Sequence, residues 1–282
     1  MKKNMIKGFV GIMSAVVLAA CGAEAAKTNE SSQAVDTAGD KIAQIQEAGV
    51  LNMVTSADWP PYEWHLIENG EDKIVGFDVD IAEYIAAELG VELNITDMDF
   101  DGLIPAVSTG KADIIMAGMN PTPERSESVD FSDIYILETD VVMVRAEDAE
   151  KYSTLEGIEN MKWATQKATV QEDFIKETYP ESYLQSVGQW GTAILSLKTG
   201  KVDGILMVDA VAEQYVKQNP DLAIATAPIE STPNSSAIAV QKGNQDLVDK
   251  INEILAELEE SGKLDEFYDE NTKLMEEKVS AE

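Results

Sequence analysis

Residues 109–116, TGKADIIM, follow a short apolar helical pattern. They consist of a turn and then an apolar strand pattern. Residues 199–207, TGKVDGILM, repeat this arrangement farther along the chain. The repeat predicts two lobes that share one helix–turn–strand unit. Because ligands of open α/β sheets bind beyond the carboxyl ends of the strands, the loops that begin at Ala117 and Val208 are expected to face one cleft.

The segments around this repeat alternate between helical and extended patterns from residue 41 onward. Gly90 and Gly262 follow two apolar helical patterns, as expected at helix ends. The predicted strands are 50–55, 91–96, 114–116, 141–144, 163–165 and 202–207, and the predicted helices include 78–89, 101–109, 210–217 and 247–258. This alternation favours an α/β fold in which mostly parallel sheets are flanked by helices.

The N-terminal segment is typical of an exported lipoprotein. Three lysines precede the apolar run 8–20, which is too short for a stop-transfer helix. The run ends before Cys21, the only cysteine of the chain, and resembles a bacterial lipobox. Residues 1–20 are therefore expected to be a signal peptide, Cys21 to be lipidated on the extracytoplasmic face of the cell membrane, and 21–40 to form a flexible tether. A secretory peptide with an incidental cysteine is the alternative.

Composition excludes several classes of function. The chain has 282 residues and a formal net charge of −31, which argues against nucleic acid as a partner, because phosphate binding needs clustered Lys and Arg. His65 is the only histidine, and Cys21 is expected to be lipidated, so Ser–His–Asp, Cys–His and multi-histidine zinc chemistry are excluded. We expect His65 at the surface, and no cofactor or metal.

The loop 117–125, AGMNPTPER, contains the first candidate ligand contacts. Gly118 allows the backbone to approach a ligand closely. Arg125 presents a planar fork that suits bidentate capture of a carboxylate. A surface arginine paired with Glu124 or Glu127 is the alternative.

Four further positions admit both a binding and a structural interpretation. Asp209 either receives a ligand ammonium or caps the following helix. Thr169 precedes a helix whose free N–H groups suit an anion, and it is equally an ordinary N-cap. Trp59 and Phe100 lie in loops after strands, where they form either aromatic walls for a ligand side chain or part of the core.

Six motifs occur in an order that resembles one family. They are WPPYE at 59–63, VGFDVD at 75–80, MDFDGLIPA at 98–106, GMNPTPER at 118–125, VDFSD at 129–133 and GILMVD at 204–209. Together they resemble the bacterial extracellular solute-binding proteins of family 3, the polar amino-acid receptors of ABC importers. The resemblance covers roughly residues 41 to 270.

The resemblance implies a two-lobed, type II periplasmic-binding-protein fold with a two-segment hinge. Lobe 1 is expected to comprise 41–137 and 236–282, and lobe 2 to comprise 138–235. The implied function is capture of a polar L-amino acid between two closing lobes, for an ABC transporter permease. The protein is expected to be a monomer and not an enzyme. A sensory lipoprotein and a dehydratase of a cyclic amino acid on the same scaffold are the alternatives.

The resemblance also implies roles for individual residues. In the family, positions matching Arg125, Asn120, Thr169 and Val170 hold the ligand carboxylate, and those matching Asp209, Gly118 and Asn120 hold the ammonium. The implied side-chain pocket is formed by Trp59, Phe100, Ser56, Asp58, Glu63 and Met119.

Two residues depart from the family pattern. Asn120 stands where Ser or Thr is usual, and its amide oxygen could replace the hydroxyl. Ala168 stands where Gly is common, so the backbone there is expected to approach the carboxylate less closely. The acids Asp58, Glu63 and Asp101 favour a cationic ligand, although helix capping and surface placement explain the same residues.

Overall fold

The computed structural model describes residues 40–231 and 234–279. The predicted signal peptide, Cys21 and all but the last residue of the predicted tether lie outside this part of the chain. Among the described residues, none of the helices combines the length and the apolar character needed to span a bilayer.

The first sheet and its helices form the first lobe. Strand β1 lies parallel to β5 and β6, and β13 lies antiparallel to β6 and β7, in the order β5-β1-β6-β13-β7. A separate hairpin sheet has the order β2-β3-β4. The elements are α1 Lys41–Ala48, β1 Val50–Thr55, β2 Asp58–Trp59, β3 Glu63–Glu68, β4 Glu71–Val75, α2 Phe77–Leu89, β5 Glu92–Asp97, α3 Leu103–Ser108, β6 Ile114–Ile115, β7 Val129–Glu138, β13 Asn234–Gln241, α8 Gln245–Ser261 and α9 Lys263–Val279.

The second sheet and its helices form the second lobe. Its order is β10-β9-β11-β8-β12, with β9 parallel to β10 and β11, and β8 antiparallel to β11 and β12. The elements are β8 Asp140–Arg145, α4 Leu155–Ile158, β9 Trp163–Gln166, α5 Val170–Thr178, β10 Leu184–Val187, α6 Trp190–Lys198, β11 Gly204–Val208, α7 Asp209–Gln218 and β12 Leu222–Ile224.

The fold class predicted from the sequence is confirmed, but the sheets are mixed rather than mostly parallel. In each sheet two of the four pairings are antiparallel. The reason is the hinge. Strand β8 enters the second sheet directly from β7, with Thr139 between them, and β13 returns to the first sheet. Each strand that enters from the other lobe is antiparallel to both of its neighbours.

The repeated sequence forms a repeated structure. Gly110 and Gly200 follow α3 and α6 with the same φ of 73°, a left-handed conformation that favours glycine. The Asp113 carboxylate accepts the backbone N–H of Asn52 at 2.8 Å. Asp203 makes the equivalent bond, at 3.0 Å, to the residue before β9. In both units the loop after the strand, β6 or β11, lies next to the space between the lobes.

Candidate functional site

A small cavity lies between the two lobes. It has a volume of about 20 Å³, which is room for about one water molecule. An amino acid therefore enters only when the lobes part. Its lining includes six residues proposed from the sequence, namely Ser56, Trp59, Glu63, Phe100, Gly118 and Thr169. Ala117 and Val208 also line it, so the two loops after the repeated strands do face one cleft.

Arg125 lies beside this cavity, and among the described residues it has no ion-pair partner. Its Nη1 donates to the carbonyl of Asn120 and its Nη2 to the carbonyl of Ala168, both at 2.8 Å. The guanidinium lies 5.5 Å from the centroid of the Phe100 ring. Burial lowers the pKa of Arg125 to about 10. The charges of Asp173 and Glu124 act on it, but within the described residues no hydrogen bond or ion pair joins it to a carboxylate. The ion pair with Glu124 or Glu127 that the alternative requires is therefore not formed.

The loop before α5 carries features of both a helix cap and an anion site. Thr169 Oγ1 accepts the N–H of Glu172 at 3.3 Å, so Thr169 is the N-cap. The N–H of Ala168 donates to the Glu172 carboxylate at 2.7 Å, at a φ of +64°. The first-turn N–H groups at Val170 and Gln171 have no acceptor inside the helix, because the helix begins there. They form the potential anion site.

Asp209 is the first residue of α7, and the N-cap position belongs to Val208. The predicted N-cap is therefore wrong by one residue. Val208, and not Asp209, has the extended backbone of the N-cap position. One carboxylate oxygen of Asp209 accepts the N–H of Ala210 and the other accepts the hydroxyl of Thr139, each at 2.8 Å. Each oxygen keeps a further acceptor site. Asp209 thus lies where α7 meets the hinge and can receive another donor.

The three acids that favoured a cationic ligand differ in their surroundings. Asp58 accepts the backbone N–H of Trp190 at 2.6 Å, across the lobes. Asp101 pairs with Lys167 of the second lobe at 2.7 Å. Glu63 is 1% exposed, and neither of its carboxylate oxygens has a hydrogen-bond donor among the described residues. Glu63 is therefore the acid of this set that lines the cavity and receives no hydrogen-bond donor.

The aromatic residues sit on both sides of the cleft. Trp59 of the first lobe lies 4.9 Å, between ring centroids, from Trp190 of the second lobe, with the planes inclined by 34°. Trp59 and Phe100 both line the cavity. Sequence reasoning missed Trp190, which begins α6. Its position after a strand and at a helix start is the signal that could have marked it.

Three other proposed residues have different placements. Ser56 lines the cavity and accepts the amide of Gln166 at 3.2 Å, again across the lobes. Met119 is 1% exposed and packs in the core of the first lobe, behind the loop. The side-chain amide of Asn120 donates to Asn234 Oδ1 at 3.2 Å, in an adjoining cavity of about 190 Å³.

The hinge contributes lining residues that sequence reasoning missed. Glu138, at the end of β7, lines the cavity, accepts the hydroxyl of Tyr62, and has its pKa raised to about 8 by burial. Gln171 and Asn234 line it too, and both donate to Asp140 at the start of β8. Two acids that flank a single residue, Thr139, between two strand patterns were the available signal.

In the part of the chain that the structure describes, no group of three or more His, Cys, Asp or Glu side chains is arranged to hold a metal ion. His65 is exposed and bonds Asp72 at 2.9 Å, away from the cavity. This agrees with the surface position expected from the sequence.

The two α/β lobes close on a cavity that has a desolvated cation beside it and, in its wall, an acid that receives no donor. This arrangement defines a two-lobed binding protein for a small zwitterion. The chain belongs to the bacterial extracellular solute-binding proteins, family 3, which it matches over residues 51–273. The function predicted from the sequence, an amino-acid-binding component of an ABC importer, is confirmed at this level.

Three similar proteins illustrate the likeness. The arginine-binding extracellular protein ArtP of Bacillus subtilis is 35% identical over 77% of this chain and 84% of its own length. The amino acid ABC transporter substrate-binding protein AbpA of Streptococcus pneumoniae, solved bound to L-arginine, has a TM-score of 0.80 and is 34% identical over 83% of this chain and 98% of its own. The ancestral amino acid-binding protein AncCDT-1, a precursor of cyclohexadienyl dehydratase, has a TM-score of 0.75 and is 30% identical over 82% and 98% of the two chains.

Proposed function

We propose that this protein captures L-arginine, or a closely similar cationic amino acid, between its lobes and delivers it to an ABC transporter permease. The observation that carries the proposal is Glu63, a buried carboxylate in the cavity wall that has no donor of its own. A buried acid without a partner is costly unless a cation or a proton neutralises it. Two of the similar proteins are arginine-binding by name or by bound ligand.

The ligand carboxylate is assigned to the side of the cleft near Arg125. The guanidinium there is desolvated and now binds only carbonyl oxygens. A carboxylate would displace the Ala168 carbonyl and form the bidentate pair that this side chain favours. The first-turn amides at Val170 and the hydroxyl of Thr169 add donors from the second lobe. The backbone N–H of Asn120 is the proposed donor from the first.

The ligand ammonium is assigned to Asp209 and to the backbone at Gly118 and Asn120. Asp209 retains acceptor sites beside the hinge. The side-chain amide of Asn120 already bonds Asn234, so we assign its contribution to the backbone. A zwitterion is expensive to desolvate unless both charges are met, and here the two groups belong to different lobes. Ligand binding therefore favours the closed state.

The ligand side chain is assigned to the space between Trp59 and Phe100, with its cationic end at Glu63. Ser56 lies at the same wall. Asp58 and Met119 are assigned no ligand contact, because Asp58 binds Trp190 and Met119 packs in the core.

We also propose the cellular setting. The lobes divide within one or two residues of the predicted positions, 41–137 with 236–282 and 138–235, because β7 ends at Glu138 and β13 begins at Asn234. Cys21 carries a lipid that holds the protein on the extracytoplasmic face of the membrane. The protein acts as a monomeric receptor and performs no catalysis. Return of unchanged arginine after incubation with the protein tests the last point, and mass measurement of the protein purified from its host tests the lipid.

A thermal-shift screen of the twenty amino acids tests the ligand. At a concentration of about 1,000 Kd a ligand stabilises the native state by about 4 kcal/mol. We expect arginine to raise the melting temperature most, and Glu63→Gln to remove the preference for cationic over neutral amino acids. Glu71→Gln, at an exposed acid of the neighbouring strand, is the matched control. A larger shift with an acidic or apolar amino acid would overturn the proposal.

A further inference from the structure

Two carboxyl groups lie together beneath the cavity. Glu63 is 1% exposed and Asp78, in the first turn of α2, is fully buried. Glu63 and Gly118 line the same cavity, and the N–H of Gly118 lies 3.5 Å from the Asp78 carboxylate. Besides burial, which raises the pKa of both groups, the Asp78 carboxyl raises the pKa of Glu63 through its charge and a hydrogen bond, and the same bond acts to lower the pKa of Asp78. Two carboxylates cannot bond each other, because both only accept hydrogen bonds. A bond between them requires a proton on one of them.

Among the residues that the structure describes, no cation forms an ion pair with Glu63 or Asp78. The titratable groups that act on Glu63 come from β2, α2 and β7, and they are all acids or tyrosines: Asp58, Asp78, Glu138 and Tyr135. Burial raises the pKa of Glu63 well above its ordinary value, and the neighbouring carboxylates raise it further. The pair is therefore held in a region that strongly disfavours two negative charges.

The hydrogen bonds place the proton on Glu63. The hydroxyl of Tyr135 lies 2.9 and 2.8 Å from the two oxygens of Asp78, and the N–H of Gly118 lies 3.5 Å from one of them. These donors favour the ionised form of Asp78, whose pKa burial nevertheless raises to about 7. Glu63 has no donor of its own. Glu63 is thus the proton donor and Asp78 the acceptor.

We propose that the Glu63–Asp78 pair holds one proton before the ligand enters, and that capture of a cationic amino acid releases this proton to solvent. The inference rests on the proposed function and adds to it. The O–H bond of the Glu63 carboxyl breaks and the proton passes to water. The cationic group of the ligand takes its place as the hydrogen-bond donor to Glu63. The net charge of the buried pair with its partner is unchanged by the exchange.

The exchange makes affinity depend on pH and on ligand charge. Where the pair is protonated in the free protein, the affinity for arginine should rise about tenfold for each unit of pH. Citrulline has nearly the shape of arginine but a neutral side chain, so its capture should release no proton.

Isothermal titration calorimetry in phosphate and in Tris at pH 7.5 measures the release, because the two buffers differ in ionisation enthalpy. We expect about one proton released per arginine and none per citrulline. Glu63→Gln should abolish the release and weaken arginine binding. Asp78→Asn should reduce the release while arginine still binds, because the new amide donates to an ionised Glu63. Glu71→Gln should behave as the wild type.

The outcomes separate this inference from the proposed function. Absence of arginine binding at every pH would contradict the proposed function itself. Tight arginine binding by the wild-type protein with no proton released would overturn the inference and leave the function standing. Release that persists in both Glu63→Gln and Asp78→Asn would also overturn it, because the proton would then come from elsewhere. The wild-type measurement decides even where a variant fails to fold.

Discussion

Asp58, in β2 of the first lobe, accepts a 2.6 Å hydrogen bond from the backbone N–H of Trp190, the first residue of α6 in the second lobe. The first N–H groups of a helix lack partners inside it, so closure of the lobes supplies one from outside. Burial raises the pKa of Asp58 to about 6, so the carboxylate is ionised at neutral pH. An acid that resembles a ligand contact in the sequence is therefore a contact between the lobes.

The first prediction distinguishes the hydrogen bond of Asp58 from its charge. Loss of a helix-capping acceptor costs about 0.5–2 kcal/mol. Asp58→Ala should therefore weaken ligand affinity by about 3- to 30-fold, since only the closed state binds ligand. Asp58→Asn keeps an acceptor and should remain within about threefold of the wild type. Calorimetric titration with arginine measures both. Equal losses in the two variants would contradict a role for the hydrogen bond.

The second prediction concerns Arg125. Leaving one partner of a buried charge pair unmet costs about 2–5 kcal/mol, so Arg125→Ala should weaken arginine binding by about 30- to several-thousand-fold. Arg125→Lys should recover part of the loss, because a lysine keeps the charge without the bidentate fork. Lys111→Ala, at an exposed turn, serves as the control in the same titration. Unchanged affinity in Arg125→Ala would remove this side chain from the site.

The third prediction follows from the backbone at Ala168. Its φ of +64° brings the Cβ close to the following carbonyl, at a cost of about 1–2 kcal/mol for residues other than glycine. Ala168→Gly should raise the melting temperature by about 2–4 °C, after allowing for the added freedom of the unfolded chain. Ala256→Gly, at an exposed position within α8, should lower it by a similar amount. A lower melting temperature for Ala168→Gly would show that the strain is absent.

The fourth prediction concerns stability and pH. Burial raises the pKa of Asp78 to about 7 and that of Glu138 to about 8. Between about pH 4.5 and 8 the folded protein therefore binds more protons than the unfolded chain, and stability falls as pH rises through this window. Melting temperatures of the unliganded protein from pH 5 to 8.5 measure the slope, which Glu138→Gln should flatten. A stability that rises over this range would contradict the burial of these acids.

The elements could be predicted from the sequence because their signals are local. Strand β1 lies at Val50–Thr55 as predicted, since a short apolar run that only Asn52 interrupts fits a buried strand. The repeated TGK(A/V)D segments form the same turn in both lobes, because glycine is needed at the left-handed position. The sequence predicted too many parallel strand pairings. The direction of β8 and β13 depends on how the chain crosses between the lobes, which local patterns do not show.

The site could be predicted only in part. Arg125, Trp59 and Phe100 belong to recognisable motifs and lie at the cleft. Trp190 and Glu138 could not be assigned, because their roles depend on which lobe and which hinge strand the closed structure brings together. The sequence also offered Asp58, Glu63 and Asp101 as cation contacts. Only burial and hydrogen bonding distinguish Glu63, which receives no donor, from the two acids that join the lobes.

A crystal structure of the protein grown with L-arginine shows how the two lobes share the ligand. We expect the ligand carboxylate on the guanidinium of Arg125, which leaves the carbonyl of Ala168, the ammonium at Asp209, and the ligand guanidinium on Glu63. A bound arginine whose carboxylate lies away from Arg125, or whose side chain points away from Glu63, would contradict this placement.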